Sequence, residues 1–196
     1  MAPASPMRIN AMKKTVLTFG LISGAILSVM LLVTVPFHDT LGFDRSEIIG
    51  YTSMVLAFLL IFFGVRSYRD NVAGGGVSFG RAFGVGALIA LVASLCYVAT
   101  WQVVYFKLAP DYGAKYKARI LEKARTDGES EAAIAQKKVE MDRFEKLYRN
   151  PAINAAITFM EPMPVALVVA IVSAGMLSRR RKDGLGQDEA VSGVRG

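Results

Sequence analysis

Four long apolar stretches, almost empty of charge, dominate this chain and restrict what it can fold into. They cover residues 15–37, 48–65, 82–106 and 153–178, and the only acidic or basic residue in any of them is Glu161, in the fourth. A helix rises ~1.5 Å per residue, so ~20 apolar residues cross a hydrocarbon layer of ~30 Å. In lipid the backbone must satisfy its own hydrogen bonds, which leaves the helix as the natural form for such stretches. The expected fold is therefore all-α: a polytopic membrane protein with four transmembrane helices. Lys13 and Lys14 precede a first stretch that is too long for a secretory signal and lacks a small-residue cleavage site before His38, so an uncleaved signal-anchor helix is expected.

The region between the third and fourth stretches, residues 107–150, is of another kind. It carries 11 basic and 8 acidic residues and cannot lie in lipid. Tyr112, Tyr116 and Ile120 recur every four residues, Asp127-Gly128 interrupts, and Ile134, Met141, Phe144 and Tyr148 form a second stripe at helical spacing. This predicts a charged helical hairpin outside the bilayer, with stripes that pair with each other or lie on the membrane surface. Residues 1–12 and 179–196 read as a flexible N-terminus and a basic stop with a polar tail. Gly74, Gly75 and Gly76 read as a link between the second and third helices; no Gly-Lys-Ser/Thr follows, so they make no phosphate loop.

Charge placement orients the four spans. Arg8, Lys13 and Lys14 flank the first span, Arg66, Arg69 and Arg81 the second connection, and Arg179, Arg180, Arg181 and Lys182 the last span. All three groups fall on one side, which the positive-inside rule makes cytoplasmic, with both termini there. The first connection, with Asp39, Asp44 and Glu47 against Arg45, fits the opposite face. The basic residues of the hairpin run against the rule. The same arginines, Arg66, Arg69, Arg179, Arg180 and Arg181, are candidate contacts for anionic lipid headgroups, although orientation alone explains them.

Two strips of small residues are candidate helix contacts. Gly20, Gly24 and Ser28 are spaced by four in the first span; Ala82, Gly86, Ala90 and Ser94 are spaced by four in the third. Such strips let backbones approach where lipid supplies little hydrophobic drive between helices. Glu161 is the one residue that asks for chemistry. An intramembrane carboxylate costs a few kcal/mol unless paired, hydrated or protonated. Pro162 and Pro164 beside it remove backbone donors and kink or break the helix. Tyr97, Thr100, Trp101, Gln102 and Tyr105, at similar depth in the third span, are candidate hydrogen-bond donors, and Arg45, His38 or Lys107 candidate sources of positive charge; Tyr97, Trp101 and Gln102 lead as partners in a proton, cation or headgroup site. The alternative is a span that begins near Pro164, with Glu161 at the interface near a helix start.

One histidine, one cysteine and no acidic pair within the spans give no nucleophile–base set and no metal cluster, so no enzyme activity and no cofactor are expected. Cys96 reads as a small buried residue. Nucleic acid is not an expected partner; membrane lipids are, with a second copy or another membrane protein as further candidates. The leading functional expectation is a non-catalytic membrane scaffold or regulator. A small ion-coupled carrier using Glu161 is the alternative, although no internal repeat supports it, and an anionic-lipid-binding protein is the weaker one.

Four stretches carry a resemblance: residues 61–70 (IFFGVRSYRD), 75–83 (GGVSFGRAF), 93–101 (ASLCYVATW) and 159–165 (FMEPMPV) before the basic stop. Together with the charged segment they resemble a bacterial membrane family, domain of unknown function 4199, over roughly residues 12–182. The resemblance implies a four-helix protein of the bacterial inner membrane. It implies no activity, cofactor or catalytic residue. Pro162 departs from the bulkier residues of that family at this place.

Overall fold

The computed structural model describes residues 6–35 and 43–178; His38, Asp39 and the Arg179–Lys182 cluster lie outside them. Among the described residues all regular secondary structure is helical. The elements are α1 (Pro6–Thr34), α2 (Phe43–Asn71), α3 (Phe79–Val103), continued by a π-helical turn (Val104–Leu108), α4 (Tyr112–Thr126), α5 (Glu131–Tyr148), α6 (Pro151–Met160) and α7 (Met163–Leu177). Four helical units are long and apolar enough to cross a membrane: α1, α2, α3 with its π turn, and α6–α7 taken together.

The helices outrun the apolar stretches. α1 begins nine residues before Thr15, and α2 runs from Phe43 to Asn71 where the uncharged stretch covers only 48–65. Apolarity marks what lipid tolerates, whereas the hydrogen-bond ladder continues until a cap or turn stops it. Gly74 and Gly75 stop α2 with φ of 74° and 86°, values that side chains resist, and the chain turns into α3.

Neighbouring side chains give the directions. Ser23 in α1 donates to the carbonyl of Ala57 in α2 (3.1 Å), and Phe19 lies beside Gly64, so α1 and α2 are antiparallel. Gly20 faces Val92 and Gly24 faces Cys96, so α1 and α3 run parallel. α2 and α3 touch at the centre, with α1 packed on one side of the pair and α7 on the other. The centre is made of small residues: Ala57, Ala82, Ala93, Ala166, Ala170 and Ala174 are fully buried, around Phe58, Ile61 and Ile89. Large apolar residues such as Leu56, Leu59, Leu95, Val168, Ile171 and Val172 face outward. Small inside and large outside is the arrangement that close helix packing within lipid requires.

Outside this bundle, at the end where α3 finishes, α4 and α5 form the charged hairpin. Gly128 (φ 76°) makes its turn. Ser130 caps α5 by accepting from the Ala133 amide at 3.3 Å. Lys117 of α4 bridges Asp142 (2.9 Å) and Glu145 (2.8 Å) of α5, and Arg149 reaches Glu145 at 3.0 Å. The apolar stripes of the hairpin do not simply pair with each other. Tyr112 and Tyr148 pack on Trp101, Val104 and Tyr105, so the hairpin is seated on the end of α3.

Candidate functional site

The site is built where α3 meets the bent fourth span. Asn150 caps α6, its side-chain oxygen accepting from the amides of Ala152 (2.9 Å) and Ile153 (3.4 Å), with Pro151 at the first helical position. Ten residues later the two prolines interrupt the ladder. Glu161 (φ −61°, ψ −52°) and Pro162 (φ −76°, ψ −13°) both keep right-handed helical dihedrals, so α6 and α7 are joined by a bend and not by a loop. A helical start at Pro164 is thereby replaced by a span that begins at Pro151 and bends at Glu161. Glu161 is exposed at this bend.

Tyr97, buried on α3, donates its hydroxyl to Glu161 Oε2 at 3.1 Å. Trp101 and Gln102, the other two leading candidates, bond elsewhere. Trp101 Nε1 donates instead to the Tyr148 hydroxyl (2.9 Å). Gln102 Nε2 donates to Asn154 Oδ1 (2.8 Å) and reaches the Pro151 carbonyl at 3.4 Å. The physical reason is register. Tyr97, Trp101 and Gln102 climb α3 while the antiparallel α6 descends beside it, so each meets a different residue: Glu161, Tyr148 with Thr158, and Asn154.

Two residues of this network, Asn154 and Thr158, escaped the sequence reading, and a third, Tyr148, figured there only in an apolar stripe of the hairpin. Asn154 is fully buried, accepts from Gln102 and donates to the Tyr148 carbonyl at 3.3 Å. Thr158 is buried and shares a bond with the Tyr148 hydroxyl at 3.0 Å. Tyr148 ties both helices to the hairpin; burial raises its hydroxyl above the ordinary tyrosine pKa, the bonds from Thr158 and Trp101 opposing. A signal was present: Asn150, Asn154 and Thr158 repeat every four residues in an otherwise apolar run.

A cavity of about 470 Å³ opens at this junction, within the ~300–1,000 Å³ range of small-molecule sites. Residues from α1 to α6 line it. Leu27, Met30, Leu31, Met54 and Ile157 give it apolar lining. Aromatic side chains line it as well, and Trp101 packs edge-on to Tyr112 (5.1 Å between centroids) as Tyr105 does to Tyr148 (5.1 Å). Among the described residues its charged lining residues are Glu161, Glu145 and Lys117.

The other candidates lie elsewhere. A Cβ on Gly20 would fall 2.7 Å from Val92 Cβ, and one on Gly24 would fall 2.6 Å from Cys96 Cβ. Ser28 Oγ pairs with Thr100 Oγ1 at 2.8 Å, so this strip of α1 lies along α3. Gly86 faces Ile61 and Ala170, with a Cβ reaching them at 3.1 and 3.3 Å; Ala90 and Ser94 are buried below it. Ala166, Ala170 and Ala174 form a matching strip on α7. Arg66 and Arg69, at the opposite end from the cavity, share Asp70 at 3.7 and 2.7 Å. Arg179, Arg180 and Arg181 lie outside the described residues. Among the described residues no group of three or more His, Cys, Asp or Glu side chains is placed to hold a metal ion.

A family model described as protein of unknown function (DUF4199) matches residues 18–179. No curated protein and no solved structure matches the chain.

Proposed function

The chain belongs to the DUF4199 family, and from that premise and the junction at Tyr148 we propose that it is a non-catalytic membrane regulator whose extramembrane hairpin is the surface offered to a partner. The observation that supports this most is how the hairpin is mounted. Tyr148 of α5 meets Trp101 of α3 and Thr158 of α6 through one hydroxyl, and its carbonyl accepts from Asn154. A hairpin fixed in this way is a rigid extension of the bundle. Movement of α6 against α3 would be carried to its charged outer face, where Lys138, Arg143 and Lys146 are exposed.

In this reading the protein sits in a bacterial inner membrane with both termini cytoplasmic and the hairpin outside. The basic flanks on one side support that orientation. The basic residues of the hairpin are partly answered within it: Lys115, Lys117, Arg125, Lys137 and Arg149 each pair with a hairpin carboxylate. The partner is a membrane protein or a second copy of this chain. Photo-crosslinking from positions 131–149 in intact membranes tests the idea. Crosslinks to a defined partner or to the chain itself are expected; recovery of neither overturns it.

A second reading, a small carrier, draws on Glu161. The carboxylate sits at a proline bend, accepts from a buried tyrosine and lines a cavity. Flux into proteoliposomes that disappears in Glu161→Gln would support the carrier; flux that is absent in the parent or unchanged in the variant removes it. Headgroup binding by Arg66 and Arg69 is the weakest reading, because Asp70 already engages both.

A further inference from the structure

We propose that the outer face of α5 docks an acidic segment of a protein partner, its carboxylates set between apolar side chains. The inference rests on the regulator reading, in which the hairpin is the surface offered to a partner. It deepens that reading by stating where on the hairpin the partner sits and what chemistry it carries.

The helix itself defines the face. At 3.6 residues per turn, Ala135, Val139, Arg143, Lys146 and Leu147 fall within about a third of the circumference of α5. Met141, Glu145 and Tyr148 fall on the opposite side, and these line the cavity against the bundle. The outer face therefore turns away from the helices that hold the hairpin. Residues 109–150 are all described, and no acidic residue falls within this sector. The nearest carboxylates of α5, Glu140 and Asp142, stand at its two edges; Glu140 accepts from Gln136 and Asp142 from Lys117.

Two features of the face call for a particular partner. The first is charge. Lys115, Lys117, Arg125, Lys137 and Arg149 are each paired with a hairpin carboxylate. Arg143 and Lys146 are exposed and enter no ion pair among the described residues, and the same holds for Lys138, just beyond the Asp142 edge. The second is exposed apolar surface. Val139 and Leu147, at 51% and 56% exposure, are the most exposed large apolar side chains of α4 and α5. They lie two turns apart, ~12 Å, with Arg143 midway between them. The outward leucines of the spans have lipid to cover them, whereas these two stand outside the spans.

A segment with carboxylates between apolar residues answers both features at once. Its acids meet Arg143 and Lys146, and its apolar side chains cover Val139 and Leu147. Docking loses little freedom on this side, because Tyr148 already fixes α5 to the bundle. One helix face ~27 Å long gives a contact at the small, reversible end of protein interfaces, as suits a regulator. An anionic lipid surface would also satisfy the two cations, but a face turned away from the bundle is poorly placed to meet it.

Two measurements on the full chain test the assignment. In the first, a fluorescent helical peptide with glutamates between leucines two turns apart is titrated onto the protein in phosphatidylcholine nanodiscs. Saturable binding that weakens with salt is expected, and none from the same peptide with lysines for glutamates. Arg143→Glu, at an exposed and unpaired position, should weaken the acidic peptide at least about tenfold. Lys123→Glu, the same change of charge on α4, should leave it nearly unaltered. In the second, a photo-crosslinking residue replaces Val139 or Leu147 in intact membranes. Crosslinks to a protein segment that carries carboxylates are expected, and Arg143→Glu should remove them. Absence of saturable peptide binding, equal binding of the lysine peptide, unaltered affinity in Arg143→Glu, or crosslinks from Val139 to lipid or to a segment without carboxylates overturns the proposal. Crosslinks to a partner from Glu131 or Ala133 with none from Val139 or Leu147 also overturn it, while leaving the hairpin a docking surface. Crosslinks from no position of α5 overturn both readings.

Discussion

The two ends of this bundle are assembled on opposite plans. Toward the end that carries Lys13, Arg66 and Arg81, contact is made by leaving side chains out: Gly20 and Gly24 lie on Val92 and Cys96, and Gly86 lies on Ile61 and Ala170. Toward the hairpin end the same helices are held by large side chains with polar tips, and a cavity of about 470 Å³ stays open among them. Lipid provides little drive for apolar helices to associate, so close backbone approach holds the first end. Directional bonds hold the second, and directional bonds can keep a space that packing would fill. One end is a clamp and the other a receptacle.

The sharpest way to break this contrast is to put a side chain into the clamp. Gly24→Val adds atoms where a Cβ alone would stand 2.6 Å from Cys96 Cβ and 2.9 Å from Cys96 Sγ. α1 must then move off α3, and overpacking of this kind costs ~1–3 kcal/mol. A loss near the upper end is expected in reversible unfolding in mixed micelles. Gly84→Val, at a position with open space around a Cβ, is the matched control and should cost far less.

The second prediction attacks the receptacle. Tyr148→Phe leaves the ring in place but removes the acceptor of Trp101 Nε1 and the partner of Thr158 Oγ1. Leaving buried polar groups unsatisfied costs ~1–3 kcal/mol. Bilayer water at this boundary softens the loss, so about 1 kcal/mol is expected in the same unfolding measurement. The lone tryptophan should also report its changed surroundings by a shift in emission. Unchanged emission and stability would mean that the hairpin is not fixed through Tyr148.

How far the sequence revealed this contrast follows from what each plan writes into it. Close packing writes a period: small residues every four positions at Gly20, Gly24 and Ser28, and at Gly86, Ala90 and Ser94, stand out without any structure. The partner strip of Ala166, Ala170 and Ala174 has the same spacing, yet alanine is common enough in membrane helices that it drew no notice. The receptacle writes less. That Tyr97 and Glu161 would lie at one depth followed from counting residues back from the helix ends. Which of Tyr97, Trp101 and Gln102 would reach the carboxylate depends on the relative height and rotation of two helices joined through residues 109–150, the turn and hairpin, and no local pattern encodes that. The hairpin's seat on α3 was hidden for the same reason. Its stripes are visible as apolar faces, but periodicity does not name the surface they meet.

A third prediction separates the hairpin from both ends of the bundle. Glu145 is held below the ordinary carboxylate range by its bonds to Lys117 and Arg149, and Lys117 is held above the ordinary lysine range by Glu145 and Asp142. A lowered carboxylate pKa contributes stability above its unfolded value, ~4.3, and that contribution is lost as pH falls through the lowered folded value. The lysine contribution is complete below its unfolded value and is lost as pH rises through the raised folded value. Hydrogen exchange in α4 and α5 should therefore accelerate below about pH 4, and again at strongly alkaline pH, while α1 and the centre of α3 stay protected. The effect is small, because these pairs are exposed to solvent and salt weakens them. Acid exchange that rose first in α1 would contradict the separation.

The smallest effect is expected at Ser94, and its sign distinguishes the two plans. Ser94 lies on the small-residue strip of α3, fully buried, and its Oγ has no hydrogen-bond partner among the described residues. Ser23, equally buried on α1, donates to the Ala57 carbonyl. If the clamp works through backbone proximity alone, the Ser94 hydroxyl contributes only its small volume and carries a desolvation cost. Ser94→Ala keeps the strip narrow, removes that cost and favours the helix, so stability should rise by a few tenths of a kcal/mol. Ser23→Ala removes a bond that is made and should lower stability by about 1 kcal/mol. Should both serines prove destabilising when replaced, polar bonding would extend through the whole bundle, and the division into a packed end and a bonded end would be one of degree.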